Sequence, residues 1–171
     1  MSRIPVLSSA ELAAFNLPDG SFRVPSRSVR VLDGDTIKLM TGRRGPLGAE
    51  LVALRIRFRS IAAPETRKSR WTDRPLEALG ADPNGSCPGR AARETLIRFV
   101  KGRDLIISHN RIFDPHGRLL ADVSVVPDRT APDEAALSLE RVMLARGVVT
   151  RFRAEPLPPL HPFGDNLLPS P

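Results

Sequence analysis

Tyrosine is absent from this 171-residue chain, and cysteine occurs once, at Cys87. A single thiol excludes an intrachain disulfide and a multi-cysteine zinc site. Long apolar runs are missing too. Stretches such as 51–54 extend over four residues, against the roughly 20 that a membrane-crossing helix requires, so no membrane partner is expected. The first 15 residues lack the basic start and apolar centre of a secretory signal, and the chain as it stands is expected in the cytoplasm. Lysine is scarce as well, with three residues against 23 arginines.

What is present is enough for a core. Hydrophobic residues make up 41% and charged residues 26%, a balance that permits a packed globular domain and argues against wholesale disorder. A monomer is expected. The net charge is +7 and the pI near 11.0. The guanidinium group grips phosphate through a planar fork of donors, so a phosphate-rich partner is one reading of this charge. A solvated basic surface is the other.

Three regions are expected: 1–25 as an N-terminal extension with a short helix, 26–153 as the folded body, and 154–171 as a proline-rich tail. Ser8 and Glu11 have capping-box spacing, with Leu12 and Phe15 on one helical face. Strands are expected at 28–32, 36–40, 50–58, 105–108 and 118–126, with helices at 90–100 and 132–147. The Asp33-Gly34 pair marks a hairpin turn. From 50 to 58 the chain alternates, with Val52, Leu54, Ile56 and Phe58 on one face and Leu51, Ala53, Arg55 and Arg57 on the other. The segment 66–89 is long and rich in charge, glycine and proline, as functional loops often are. Three strands, a helix, two strands and a helix predict a mainly β fold of the α+β class. A five-stranded OB-type β-barrel with two packed helices fits that order, and such barrels often bind nucleic acid.

Three stretches carry the chemistry: Val31-Leu32-Asp33-Gly34-Asp35-Thr36, then Arg57 through Ala62-Ala63-Pro64-Glu65-Thr66, then Asp114-Pro115-His116-Gly117-Arg118-Leu119-Leu120-Ala121. Asp33 and Asp35 flank a turn glycine, where paired carboxylates can hold a hard cation or simply face solvent. Glu65 lies at the end of a strand, and a carboxylate beside an arginine can act as a general base near an anion or form a surface ion pair. Arg118 can clamp phosphate or serve as an ordinary turn residue.

Taken together and in this order, the three stretches resemble the staphylococcal nuclease-like (thermonuclease) family, with its V-x-D-G-D-T, R-x-x-x-x-D-A-P-E and D-x-x-G-R-x-L-A blocks. The likeness covers about three-quarters of the chain, from Val24 to Val149. It implies an OB barrel with packed helices and metal-assisted hydrolysis of phosphodiesters in DNA or RNA, leaving phosphate on the 3′ side of the cut. By position, Arg57 and Arg118 match the two phosphate-binding arginines. Glu65 matches the carboxylate that activates water. Asp35 matches a direct calcium ligand, Ala63 a ligand through its backbone carbonyl, and Asp33 a carboxylate of the outer region.

The resemblance fails at one place that matters. Ala62 stands where the family has the second direct calcium carboxylate. Calcium affinity follows ligand charge and number, so the site is expected to be weakened. Two outcomes stay open: an active enzyme with an altered metal site, or a module that binds nucleic acid without cutting it. A protein-interaction module is a third class.

Family members commonly place a tyrosine where His116 stands, and this imidazole either contacts substrate or is a solvated turn residue. Arg67, Lys68, Arg70 and Arg74 follow Glu65 closely and are expected to contribute modestly to holding a nucleic-acid backbone, with a solubilising loop as the alternative. Arg151, Phe152 and Arg153 lie where the family often contacts substrate, with a packed Phe152 as the alternative.

Overall fold

The computed structural model describes residues 17–44, 47–65, 88–127 and 132–152. The described chain is mainly β, with two helices and a sheet curled into a half-barrel. Its strands are β1 (Gly20–Val24), β2 (Val29–Asp33), β3 (Thr36–Arg44), β4 (Glu50–Phe58), β5 (Ile61–Ala62), β6 (Leu105–Phe113), β7 (Leu119–Val125), β8 (Leu137–Ser138) and β9 (Thr150–Arg151). Helix α1 is Pro88–Val100 and helix α2 is Leu139–Ala145.

The main sheet has the order β1-β6-β7-β4-β3-β2, with β8 added on β7. Neighbours are antiparallel except β4 and β7, which run parallel. β5 and β9 form a separate antiparallel pair. The five strands expected from the sequence are β2, β3, β4, β6 and β7. The sheet has seven, because β1 and β8 join it.

The core therefore starts earlier than the expected boundary at residue 26. β1 pairs with β6 from Gly20↔His109 to Val24↔Leu105, and Phe22 and Val24 are fully buried. The N-terminal helix and the proline-rich tail lie outside the described residues.

Alternation explains which side chains enter the core. Ile37 and Leu39, Leu54, Ile56 and Phe58, Leu105 and Ile107, and Leu119, Ala121 and Val123 all turn to one face and form a single cluster. Each fully buried side chain of this size removes enough apolar surface from water to contribute about 1.5–3 kcal/mol. The alternation read along β4 breaks at its start, where Ala53 is buried and Val52 exposed. The register of β3 and β4 shifts between Leu39 and Met40, and such an irregularity reverses which side chains face inward while bending the strand. Further shifts occur between Val31 and Asp33 and between His109 and Phe113, which curl the sheet.

Helix α1 buries Ala92, Leu96 and Val100, spaced four apart on one face. The second helix is shorter than the span 132–147 expected from the sequence. Pro132 leads into a 3-10 turn at Asp133–Ala135, Leu137 and Ser138 pair with β7, and only then does the helix start. Ser138 sets that start: its hydroxyl accepts the Arg141 N–H at 3.3 Å, satisfying a donor the helix leaves open. Leu139 and Met143 then anchor the helix in the core. Among the described residues, no helix is long and apolar enough to cross a membrane.

Candidate phosphate-binding site

The site gathers around the β2–β3 turn. Asp35 sits there with 4% of its surface exposed. One carboxylate oxygen accepts from the Thr36 hydroxyl at 2.7 Å. The other accepts the Ala63 N–H at 3.0 Å and faces Arg57 Nη2 at 3.4 Å. A carboxylate this deeply buried is tolerable only with such a donor set. Three separate segments thus meet on one side chain: the turn, the end of β4, and the residues after β5.

Arg57 reaches Asp35 because β4 pairs with β3 in the register Thr36↔Arg57. Its guanidinium also lies 5.4 Å from the centre of the Phe152 ring, a cation–π arrangement. Phe152 is 44% exposed and is held in place by its own N–H, which donates to the Ser60 carbonyl at 2.8 Å. It is therefore not packed into the core. The β5–β9 pair, Ile61↔Arg151 and Ala62↔Thr150, brings this aromatic to the site.

Close packing shapes the floor. A Cβ on Gly34 would stand 2.6 Å from Cβ of Ala92 and 2.8 Å from Cβ of Ala63, so the turn fits against α1 only as glycine. A Cβ on Gly89 would collide with the backbone carbonyls of Pro64 and Glu65. Helix α1 is thereby pressed onto the segment that carries Glu65. Glu65 itself is exposed.

Asp33 receives the Gly34 N–H on Oδ1 at 2.8 Å. Burial raises its proton affinity above the usual carboxylate range, and the negative fields of Asp35 and Glu65 push the same way, against the Gly34 bond and Arg93. Asp33 thus lies within the fields of both Asp35 and Glu65.

Arg118 enters from another direction. The parallel pairing places Leu120 beside Arg57, and Arg118 stands two residues earlier, just before β7 begins. Its Nε donates to Asp114 Oδ2 at 2.7 Å, and its backbone N–H donates to Asp114 Oδ1 at 2.9 Å. Burial opposes ionisation of Asp114, but the bonds from Arg118 and the His116 N–H outweigh it and hold the carboxyl below its ordinary range. His116 is exposed on this turn and contributes its backbone N–H at 2.9 Å.

The sequence motifs thus come together in part. Asp35, Arg57 and Ala63 are in direct contact, and Asp33 and Glu65 lie within electrostatic reach. Arg118 stands just before β7, the strand beside β4, and is bonded to Asp114. Arg67, Lys68, Arg70, Arg74 and Arg153 lie outside the described residues. The motif reading assigned no role to Thr36 or Asp114, though both stand in the motif strings and both complete a carboxylate–donor set. Gly89, the contact that seats Glu65, has no signature in sequence because it reflects packing between distant segments.

The donor set for a cation is short. Among the described residues, no group of three or more His, Cys, Asp or Glu side chains is arranged to hold a metal ion. Asp35 already receives three donors, the Ala63 N–H is one of them, and Ala62 offers no carboxylate. Calcium ordinarily takes six to eight oxygens.

In comparisons with known proteins, no family model matches the chain and no curated protein matches it.

Proposed function

We propose that this chain is a phosphodiesterase acting on nucleic acid, built on an OB-type barrel. The observation that carries the reading is Arg57, fixed by a buried carboxylate, with an exposed aromatic on its face and a second arginine just before the neighbouring strand β7. Asp35 prevents Arg57 from wandering, so little ordering remains to be done when phosphate arrives. Phe152 offers a face on which a base can stack.

The reaction is an in-line displacement. Glu65 takes a proton from a water molecule as the oxygen attacks phosphorus. The bond from phosphorus to the 5′ oxygen breaks, that oxygen takes a proton from solvent, and phosphate stays on the 3′ side. Charge on the non-bridging oxygens grows as the five-coordinate state forms, and Arg57 and Arg118 face that charge. Arg118 must exchange Asp114 for phosphate to take part.

Calcium, when bound, would supply countercharge for the reaction. Asp35 and the Ala63 carbonyl would hold it, with Asp33 further out, and a set this small predicts weak binding.

A second reading rests on the same shortage. Ala62 removes a carboxylate, and the oxygens of Asp35 are already used, which suits a module that grips phosphate without cutting. Cleavage of single-stranded DNA and RNA separates the two. Calcium is raised from zero to well above ordinary levels, with chelator and Glu65→Gln as controls. The expected result is cleavage that falls at least about 10²-fold in Glu65→Gln with binding unchanged. Binding without cleavage at any calcium concentration establishes the second reading. Cleavage that persists in chelator and still needs Glu65 removes calcium from the proposal.

A further inference from the structure

A groove of about 430 Å³ lies between β2 and helix α1, and neither Phe152 nor Arg118 lines it. Its volume falls in the range of ligand pockets, about 300–1,000 Å³. Val29, Val31, Ile97 and Val100 supply its apolar side chains. Arg27, Arg30, Arg93 and Lys101 supply four positive charges, and none of the ten lining residues is acidic. Arg27, Arg30 and Lys101 are exposed.

The groove and the candidate site meet at Arg93. Its guanidinium donates to the carbonyls of Leu32 at 3.0 Å and Val31 at 3.4 Å, and its charge favours ionisation of Asp33. A polyanion held at Arg57 would meet carboxylates at Asp33 and Glu65, then positive charge again beyond Arg93. β2 is the last strand of the sheet, and a peptide could extend it only through free backbone groups on its outer edge. Arg93 already occupies the carbonyls of Val31 and Leu32, which disfavours that mode. An apolar floor rimmed by cations suits base faces below and phosphates above.

We infer that this groove is a second binding segment for single-stranded nucleic acid, holding the strand on the far side of Arg93 from the scissile phosphate. The inference rests on the phosphodiesterase reading for the direction of the strand, while the groove's charge and shape stand independently of it.

The test uses the full chain carrying Glu65→Gln, so that substrate survives, and fluorescence anisotropy with labelled oligothymidylate. One probe is a trinucleotide. The other is roughly 15 nucleotides, near the upper site size of an OB-type barrel. The groove variant combines Arg27→Ala, Arg30→Ala and Lys101→Ala, and its circular dichroism and thermal unfolding are checked against the parent. For the long probe, affinity should fall at least about tenfold and the salt slope should become shallower by about 2, reflecting three lost phosphate contacts. The trinucleotide should bind as before.

Unchanged long-probe binding in a folded groove variant overturns the inference. If Arg57→Ala with Arg118→Ala still weakens the trinucleotide in that case, the phosphodiesterase reading survives alone. If the groove variant loses long-probe affinity while the double-arginine variant does not, the groove stands and the site reading fails. Competition by polyglutamate of matched charge, as strong as by oligothymidylate, overturns nucleic acid as the occupant.

Discussion

Two arginine–carboxylate pairs flank the neighbouring strands β4 and β7, and they are built in opposite ways. Arg118 and Asp114 are four residues apart and joined by one turn. Arg57 and Asp35 come from different strands and meet only because β3 and β4 pair in one register. The local pair is the shorter, at 2.7 Å against 3.4 Å. The distant pair is the more interlocked, since Asp35 also holds the Thr36 hydroxyl and the Ala63 N–H. Bond length is therefore a poor guide to structural weight here. What counts is how many segments lose their partner when a carboxylate is removed.

That contrast predicts the largest effect at Asp35. Asp35→Ala leaves Arg57 half-buried beside an empty position and strips two further donors, which should cost about 3–5 kcal/mol. Urea unfolding measures it. A cost no larger than that of Asp114→Ala breaks the comparison.

Gly89→Ala attacks the same corner from the helix side. Backbone carbonyls of Pro64 and Glu65 stand where the new methyl group would go, and backbone yields less readily than a side chain. A loss of about 1–3 kcal/mol is expected, and cleavage should fall further than stability explains because Glu65 moves. Full activity with reduced stability would separate Glu65 from the chemistry.

Asp114→Ala should cost about 1–2 kcal/mol, since its side chain is largely covered and its bonds include a charged one. Its pH dependence follows from the depressed proton affinity. The folded protein binds this proton less readily than the unfolded chain, whose carboxyl has the usual value of about 3.8. The stabilisation is complete above that value and is lost as pH falls through the lower, folded one. Stability measured against pH should show this acid limb in the parent and not in Asp114→Ala. In the variant Arg118 is also released from its partner, so phosphate affinity should rise or hold rather than fall.

The smallest change is expected at Phe152→Ala. An exposed cation–π contact contributes about 0.5–1 kcal/mol, and the ring is 44% exposed. Stability should shift by no more than that, whereas binding of a trinucleotide should weaken by the larger factor that loss of base stacking brings, about 1–3 kcal/mol. Equal effects on both would make Phe152 a structural residue.

The parts of the molecule that were legible beforehand are those whose information is local. The Asp-Gly turn, the strand 50–58, the face of α1 and the Asp114–Arg118 turn each depend on residues within a few positions of one another. Misreadings fell where distant chain decides. Residues 20–24 look peripheral until β6 offers them an edge to pair with. Residues 132–138 have a helical pattern in sequence, yet Pro132 and the pairing of Leu137 and Ser138 with β7 claim them first. Val52 and Ala53 exchange places because β3 and β4 slip in register between Leu39 and Met40.

By itself the amino-acid order determined the charge, the strand and helix periodicities and the identity of the motif residues. It also determined that position 62 carries a methyl group and no carboxylate, because each of these is a property of side chains in their local sequence. Only the tertiary structure decided that Asp35 is the hub joining Thr36, Arg57 and Ala63, that Phe152 covers Arg57, and that Arg93 links the site to a cationic groove. Those contacts depend on strand register and on glycine-sized approaches at Gly34 and Gly89. The energy that selects them comes from burying the common core, to which every strand contributes.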